Sequence, residues 1–306
     1  MLYYLEKRAL EKTLPSRQDG GPVLKLFSLK DYPDMSGEEF SFYSGKNKLR
    51  GIKYRVGNGP YKGAVVFFHG MGAGHNAYEQ LIHTLAENGY LVYAYDNACC
   101  GMSDGEGWWN FSSALIDQEN FFKWYETDAD KDGLKTIAIG HSWGGFVAQN
   151  ALRYPVVDKV VEISGFCNVV DIMLSMVPRI KPLKPLLVGT QRHYFGAYGN
   201  ADTYDLLKDT EKAVLLIHGD KDPLVNYKDT FLRLKEKLKG KSNLIFYTAE
   251  NRLHQPFMSE KAEAYLKYLD DEGISSGKKK ADYIDYDLLL TENEELKDLI
   301  LKFMEN

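Results

Sequence analysis

The chain has 306 residues, of which 44% are hydrophobic and 26% are charged, and its formal net charge at pH 7 is −5. A chain of this length and composition is expected to fold into a globular protein with a large buried core. It lacks the excess of basic residues that nucleic-acid binding requires, so we expect no nucleic-acid partner.

The N-terminal residues 1–14 mix charged and apolar side chains, and they therefore lack the continuous apolar region of a signal peptide. No apolar run in the chain approaches the roughly 20 residues that span a bilayer. We therefore expect a cytoplasmic protein without an integral membrane segment.

Strand and helix signals alternate along most of the chain. Two polar-flanked segments at 40–43 and 49–55 predict antiparallel edge strands, and the apolar run 64–68 predicts a buried strand. Further strands are predicted at 90–95, 136–139, 159–163, 213–217 and 244–247. Helical patterns lie between most of these strands, for example at 78–88 and 113–125. This alternation predicts an α/β fold with a mostly parallel sheet.

The segment 164–210 is too long for a structureless loop in a compact domain. It contains apolar helical patches at 169–177 and 183–188, and three prolines interrupt its helical pattern. We therefore predict an inserted helical cap.

The prediction divides the chain into four parts. They are an N-terminal extension at 1–36, a core at 37–164 and 211–270, the cap at 165–210, and a C-terminal linker and helix at 271–306. In the last part, Thr291 and Glu294 form a T-x-x-E capping box ahead of an apolar pattern. We expect a final helix there that either docks on the core or mediates contacts between copies of the chain in a homodimer.

A G-x-S-x-G pentapeptide, Gly140 to Gly144, directly follows a predicted strand and begins a helix. In this context the serine lies on a sharp turn, and the helix N-terminus offers backbone N–H groups to a developing oxyanion. The alternative is an ordinary glycine-rich turn between strand and helix. The context favours Ser142 as a nucleophile.

A serine nucleophile needs a base, and the base needs an orienting acid. With such an elbow, the order along the chain is serine, acid, histidine. If the acid follows the strand at 213–217, His254 is the only one of the seven histidines that follows the acid. Asp222 is favoured over Asp220 as the acid, because Pro223 restricts the Asp222 backbone to extended forms. Asp220 is then interpreted as a turn residue.

An oxyanion hole needs two backbone donors. The Trp143 N–H follows the nucleophile and is predicted to be one of them. The second is expected from the loop after the strand at 64–68, where Met71 follows a His-Gly pair. The alternative is a flexible glycine turn, since the spacing of the loop glycines does not match a dinucleotide-binding motif.

Taken together, these motifs resemble the α/β-hydrolase superfamily, in the branch of monoglyceride-lipase-like and other small carboxylesterases. The motifs are His69-Gly70, Asp96 with Gly101-x-Ser103-x-Gly105, the elbow at Ser142, Gly219-x-x-Asp222-x-x-Val225, and His254. The resemblance covers roughly residues 48–270. It implies an α/β-hydrolase fold with a mostly parallel eight-stranded sheet, flanking helices and a cap between strands six and seven. It also implies a triad of Ser142, Asp222 and His254, with Met71 and Trp143 as oxyanion donors.

The cysteines mark one departure from the family pattern. Cys99 and Cys100 replace polar or glycine positions in a structural stretch, and buried packing is the favoured interpretation of this pair. With Cys167 they make an odd, small number, which does not indicate a disulfide framework. No C-x-x-C pair is present. We expect no metal ion and no cofactor.

The substrate depends on the cap. Met173 and Met176, with aromatic walls from Trp108 and Tyr194, are predicted to line a site for an apolar acyl group. The alternative is that these residues form the core of the cap itself. Three functions follow: a carboxylic ester hydrolase that works through an acyl-enzyme, an amidase, peptidase or acyltransferase with the same triad, and a non-enzymatic ligand-binding module.

Overall fold

The protein is described by a computed structural model that covers Tyr4 and residues 23–24, 26–72, 74–105, 111–176 and 178–306. At its centre is a sheet of eight strands in the order β1-β2-β4-β3-β5-β6-β7-β8. The strands are β1 Met35–Ser44, β2 Asn47–Val56, β3 Gly63–Phe68, β4 Tyr90–Tyr95, β5 Thr136–His141, β6 Val157–Ile163, β7 Ala213–Gly219 and β8 Leu244–Ala249. Every predicted strand lies within one of these, and the expected eight-stranded sheet is confirmed.

Five neighbouring pairs of strands, from β4 to β8, are parallel. The hairpin of β1 and β2 joins the sheet antiparallel, with β2 paired to β4. Both hairpin strands were expected at the edge of the sheet, but only β1 lies there. The pattern of β2 agrees with this interior position, because Leu49 and Tyr54 are fully buried.

Ten α-helices lie in the part of the chain that the structure describes beyond Tyr4. They are α1 Glu79–Glu87, α2 Ser113–Tyr125, α3 Trp143–Asn150, α4 Val169–Met176, α5 Lys184–Phe195, α6 Tyr204–Asp209, α7 Arg233–Lys237, α8 Glu260–Asp271, α9 Tyr286–Leu289 and α10 Glu294–Glu305. Short 3₁₀ turns and one π-helical turn, Lys228–Leu232, connect some of them. None of the helices in the described residues is long and apolar enough to cross a membrane.

The sheet has a hydrophobic core on each face, because successive side chains of a strand point to opposite sides. In β3, Val66 and Phe68 pack with α2 and α3 on one face. Val65 and Phe67 pack with α1 and α10 on the other face. Both faces of the parallel strands are therefore covered, as such strands require.

Helices α4, α5 and α6 lie between β6 and β7, where the cap was expected. Helix α4 packs against α5, and the 3₁₀ turn Pro178–Leu183 joins them. A boundary between core and cap stays a prediction.

The C-terminal helix α10 is part of the core. Its buried side chains recur at helical spacing, with Leu296, Ile300 and Phe303 packed in the same cluster as the strands. The buried Lys159 Nζ donates to the carbonyl oxygens of Phe303 and Met304, at 3.2 and 2.8 Å. It thereby gives hydrogen-bond partners to two carbonyl groups at the C-terminal end of the helix. Of the two expectations for this helix, docking is the one observed.

The capping box predicted at Thr291 and Glu294 is wrong. The N-cap of α10 is Asn293, whose side chain accepts a hydrogen bond from the Leu296 N–H at 3.3 Å. The Thr291 hydroxyl instead donates to the Leu288 carbonyl at 2.8 Å. Asn is a better cap residue than Thr, and Asn293 lies two positions closer to the apolar pattern.

Candidate active site

The candidate residues meet at one edge of the sheet. Strands β3, β5, β7 and β8 run parallel, so their carboxyl ends lie side by side. Ser142 follows β5 directly, and Asp222 and His254 lie in the loops after β7 and β8. In open α/β sheets this edge is where ligands bind.

Ser142 occupies a sharp turn between β5 and α3. Its φ is +57°, a left-handed value that is rare for residues other than glycine. The turn forms because strand and helix approach closely: a Cβ on Gly140 would lie 2.1 Å from the Gly144 carbonyl oxygen. A Cβ on Gly144 would lie 1.9 Å from the Phe68 carbonyl oxygen. The two glycines of the motif therefore allow the geometry that projects the serine from the strand end.

Ser142, His254 and Asp222 form a continuous chain of contacts. His254 Nε2 lies 2.9 Å from Ser142 Oγ, and His254 Nδ1 lies 2.7 Å from Asp222 Oδ2. Because a carboxylate only accepts, Nδ1 carries the proton, and Nε2 is left with its lone pair toward the serine. The His254 loop ends at Ser259, whose side chain accepts from the Ala262 N–H at 3.1 Å and so caps α8.

Asp222 is buried, and its carboxylate accepts several hydrogen bonds. Its Oδ1 accepts from the N–H groups of Leu224 and Val225, at 2.8 and 2.9 Å. Burial alone would raise the pKa of the Asp222 carboxyl, but hydrogen bonds from His218 and His254 hold that pKa well below its ordinary value. The group is therefore an anion at neutral pH. Asp220, the alternative acid, lies 3.4 Å from Lys221 Nζ and does not contact His254.

His218 is a contact of this cluster that the sequence analysis missed. Its Nε2 lies 3.2 Å from Asp222 Oδ2 and 2.9 Å from the Val225 carbonyl oxygen. Burial would lower the pKa of His218, but the hydrogen bond to Asp222 and the nearby Glu162 raise it above the ordinary value. A signal was available, because His218 lies four residues before Asp222 in the same H-G-x-x-D stretch.

Glu162 is a second buried group near this cluster. It pairs with Leu216 across β6 and β7, so it shares a face of the sheet with His218 two residues further on. The Gly165 N–H donates to its Oε1. Burial raises the pKa of Glu162 to about 7, and His218 opposes that rise. A carboxyl group on a buried strand is unusual, and it was overlooked because the strand was interpreted by its apolar pattern alone.

The predicted oxyanion donors lie on neighbouring segments. Trp143 is the first residue of α3, and Met71 follows the end of β3 by three residues. The close approach of Gly144 to Phe68 places these two segments side by side. The Trp143 indole donates to the Phe111 carbonyl at 3.2 Å. Within the described residues, the Met71 backbone N–H has no hydrogen-bond partner.

The predicted substrate residues differ in their exposure. Met173 is only 3% exposed and packs in the larger hydrophobic core. Met176 and Tyr194 are 49% and 37% exposed. Trp108 lies outside the described residues. Contact of these residues with a substrate stays a prediction.

Two cavities lie near the site. One of about 580 Å³ lies beside the His254 loop and is lined by Phe27, Leu81, Phe257, Leu266 and Leu289, among others. The other, of about 510 Å³, lies between the cap helices and α7 and is mixed in charge, with Asp171, Lys184 and Arg233 in its walls. As formed by the described residues, neither cavity is lined by Ser142 or by the predicted substrate residues.

The vicinal cysteines pack as expected. Cys100 is fully buried, and Cys99 is partly buried with a φ of +67°. Burial raises the pKa of the third cysteine, Cys167, to about 12. Among the described residues, no group of three His, Cys, Asp or Glu side chains is arranged to hold a metal ion.

A family model described as serine aminopeptidase, S33, matches residues 59–197, which include the elbow but not Asp222 or His254. No curated protein sequence matches the chain.

Solved structures are similar over most of the chain. An esterase of Pyrococcus furiosus is 17% identical with a TM-score of 0.65, covering 95% of this chain and 98% of that one. An α/β-hydrolase of Penicillium sp. sh18 is 14% identical with a TM-score of 0.54, covering 79% and 99%. A predicted CIB-like hydrolase of Thermoplasma acidophilum is 15% identical with a TM-score of 0.52, covering 89% and 99%. At these identities the likeness shows a shared fold.

Proposed function

We propose that this chain, which has the α/β-hydrolase fold, is a serine hydrolase that cleaves carboxylic esters through an acyl-enzyme intermediate. The observation that carries the proposal is the chain of contacts from Ser142 Oγ through His254 to Asp222, at 2.9 and 2.7 Å. These distances are within the reach that general-base activation of a serine requires. Fold alone would not support a function, so the proposal depends on this site.

In the proposed acylation step, His254 Nε2 removes the Ser142 hydroxyl proton while Oγ attacks the ester carbonyl carbon. The carbonyl π bond opens, and its electron pair moves to the oxygen. Asp222 holds the Nδ1–H tautomer of His254 and stabilises the imidazolium. When the tetrahedral intermediate collapses, the bond to the alcohol oxygen breaks, and His254 gives its proton to that oxygen.

The developing oxyanion needs donors placed before the reaction begins. In the proposal, the N–H groups of Met71 and Trp143 supply them, and the N-terminus of α3 adds a favourable dipole. Removal of one such donor in other hydrolases costs about 3–4 kcal/mol of transition-state stabilisation. Deacylation repeats the sequence with water: His254 takes a water proton, the hydroxide attacks the acyl carbon, and Ser142 Oγ leaves with that proton.

The preferred substrate in the proposal carries an apolar acyl group. What supports this is the half-exposed position of Met176 and Tyr194 on the helices between β6 and β7. The cytoplasmic location and a homodimer stay predictions from the sequence.

The test is hydrolysis of p-nitrophenyl esters from acetate to palmitate, with Ser142→Ala as the matched control. The proposal predicts turnover by the unmodified protein, loss of turnover in Ser142→Ala, and a rate maximum beyond acetate. Equal turnover by both proteins would exclude Ser142 as the nucleophile. A folded protein without turnover of any ester would favour a ligand-binding module.

The second candidate is cleavage of an amide or peptide bond, or acyl transfer, by the same three residues. The description of the matched family model, serine aminopeptidase, favours it. A p-nitrophenyl ester and a p-nitroanilide with the same acyl group separate the two substrates. A higher kcat/KM for the anilide would show that the enzyme is an amidase or peptidase, because the activated ester is intrinsically the more reactive substrate. Added alcohol or amine acceptors that capture the acyl group would reveal transfer.

A further inference from the structure

A chain of hydrogen bonds outside the candidate triad connects three loops of the site. The Gly70 N–H lies 3.2 Å from the Tyr78 hydroxyl oxygen, and that oxygen lies 3.0 Å from His141 Nδ1. His141 Nε2 in turn lies 2.8 Å from the His254 carbonyl oxygen. The chain therefore runs from the loop after β3, past the residue before Ser142, to the loop that carries His254.

The direction of each hydrogen bond follows from the acceptor at its end. The His254 carbonyl can only accept, so His141 Nε2 carries a proton. Burial and the neighbouring His254 lower the pKa of His141 to about 3, so the ring is neutral near pH 7 and its Nδ1 is an acceptor. The Tyr78 hydroxyl therefore donates to Nδ1 and accepts from the Gly70 N–H. This assignment of protons is the one in which each polar group of the hydrogen-bonded series has a partner.

Side-chain packing holds the hydrogen-bonded residues in place. The Phe257 ring lies edge-on to His141 with ring centroids 5.0 Å apart, and Tyr78 packs against Phe67 at 5.3 Å. A Cβ on Gly70 would lie 2.4 Å from the Tyr78 hydroxyl oxygen, so this contact needs glycine at position 70. His141 itself is 3% exposed, and water does not compete for its hydrogen bonds.

We infer that Tyr78 and His141 are positioning residues that hold the Met71 N–H and the His254 imidazole in register with Ser142. Fixing the Gly70 N–H holds the His69–Gly70 peptide, which is next to the peptide that carries the Met71 N–H. Fixing the His254 carbonyl orients the backbone that carries the imidazole. The kinetic part of this inference rests on the proposed ester hydrolysis. A small displacement of either group lowers the rate of the chemical step without a matching loss of substrate binding.

The kinetic test uses Tyr78→Phe, which removes only the hydroxyl and keeps the ring contacts. We expect kcat to fall about tenfold, with KM changed less than twofold. The matched control is Tyr125→Phe, which removes a buried hydroxyl 2.9 Å from Thr136 Oγ1 at a distance from the site, and which should leave kcat unchanged. In the double variant Tyr78→Phe/His141→Leu, the decrease in kcat should be close to the larger of the two single-variant decreases, because both substitutions break the same series of hydrogen bonds.

The second readout does not need turnover. The His254 Nδ1 proton bonded to Asp222 gives a downfield resonance in the proton NMR spectrum, identified by its absence in His254→Ala. Tyr78→Phe should shift this resonance or speed its exchange with water, and Tyr125→Phe should not. An unchanged resonance in Tyr78→Phe would overturn the inference, whether or not any ester is cleaved. Absence of ester turnover by the unmodified protein would count against the proposed function and not against the positioning role.

Discussion

His218 Nε2 lies 3.2 Å from Asp222 Oδ2, the same oxygen that lies 2.7 Å from His254 Nδ1. One carboxylate therefore serves two histidines, and its other oxygen accepts two backbone N–H groups. A carboxylate offers about four lone-pair sites, so Asp222 is saturated with donors. This arrangement fixes the carboxylate plane and with it the direction of the hydrogen bond to His254.

Replacement of His218 tests this second contact. In His218→Leu, Asp222 loses one donor, and we expect kcat to fall about tenfold, the order of one hydrogen bond to a charged group. Steady-state kinetics of the variant and the unmodified protein measure this loss. Tyr227→Phe, whose ring lies 6.0 Å from that of His218, is the control and should keep kcat unchanged.

The choice of acid is tested by a pair of isosteric changes. Asp222→Asn removes the charge and favours the wrong tautomer of His254, so we expect kcat to fall by about 10⁴-fold. Asp220→Asn should change kcat less than twofold, because Asp220 does not contact His254. Similar losses in the two variants would show that the acid is misassigned.

Glu162 gives a pH dependence of stability. Its pKa is raised to about 7 by burial, so its stabilising effect is present at low pH and is lost as pH rises from about 4.5 through 7. Glu162→Gln removes this titration and keeps an acceptor for the Gly165 N–H. The free energy of unfolding of the variant, relative to the unmodified protein, should rise from pH 5 to pH 8 by up to about 3 kcal/mol.

Denaturant unfolding at the two pH values measures this difference. The exposed Glu126→Gln is the control, and its effect should be equal at both. A Glu162→Gln effect that is also equal at both pH values would show that this carboxyl does not titrate in the range.

The role of α10 is tested by a core truncation. Ile300 is 4% exposed in the cluster below the sheet, so Ile300→Ala should lower the free energy of unfolding by about 3 kcal/mol. Lys302→Ala on the exposed side should change it by less than about 0.5 kcal/mol. Thermal unfolding at several protein concentrations distinguishes a core helix from a dimer contact. A melting temperature that rises with concentration would contradict the core assignment.

Much of the fold follows from local patterns. The parallel strands were predictable because most of them are short apolar runs followed by a turn or loop signal. The helix Ser113–Tyr125 was predictable from its periodicity with both bounds. Ser142 was predictable because the pentapeptide and the strand before it are adjacent in the sequence, and Gly140 serves the local contact with the Gly144 carbonyl.

The rest depends on contacts between distant parts of the chain. The interior position of β2 depends on its pairing with β4, in which Gly51 lies opposite Tyr95 and Tyr54 opposite Val92, and no local pattern encodes this pairing. Tyr78 escaped notice because its partner His141 lies 63 residues further along the chain. His218 lies only four residues before Asp222, and it was missed because only the aspartates of that loop were weighed. The cap of α10 was misplaced because Thr291 and Asn293, two positions apart, are both residue types that cap helices. The Asn293 side chain also donates to the Pro256 carbonyl at 3.0 Å, a contact between distant residues that accompanies the observed choice.

The central claim is that Ser142 is an activated nucleophile. The most direct measurement is reaction with a fluorophosphonate, followed by mass spectrometry of the digested protein to locate the adduct. The account predicts a single phosphonylated residue, Ser142, with labelling abolished in Ser142→Ala and strongly slowed in His254→Ala. A folded protein that takes up no phosphonate, or takes it up equally when Ser142 is replaced, would contradict it.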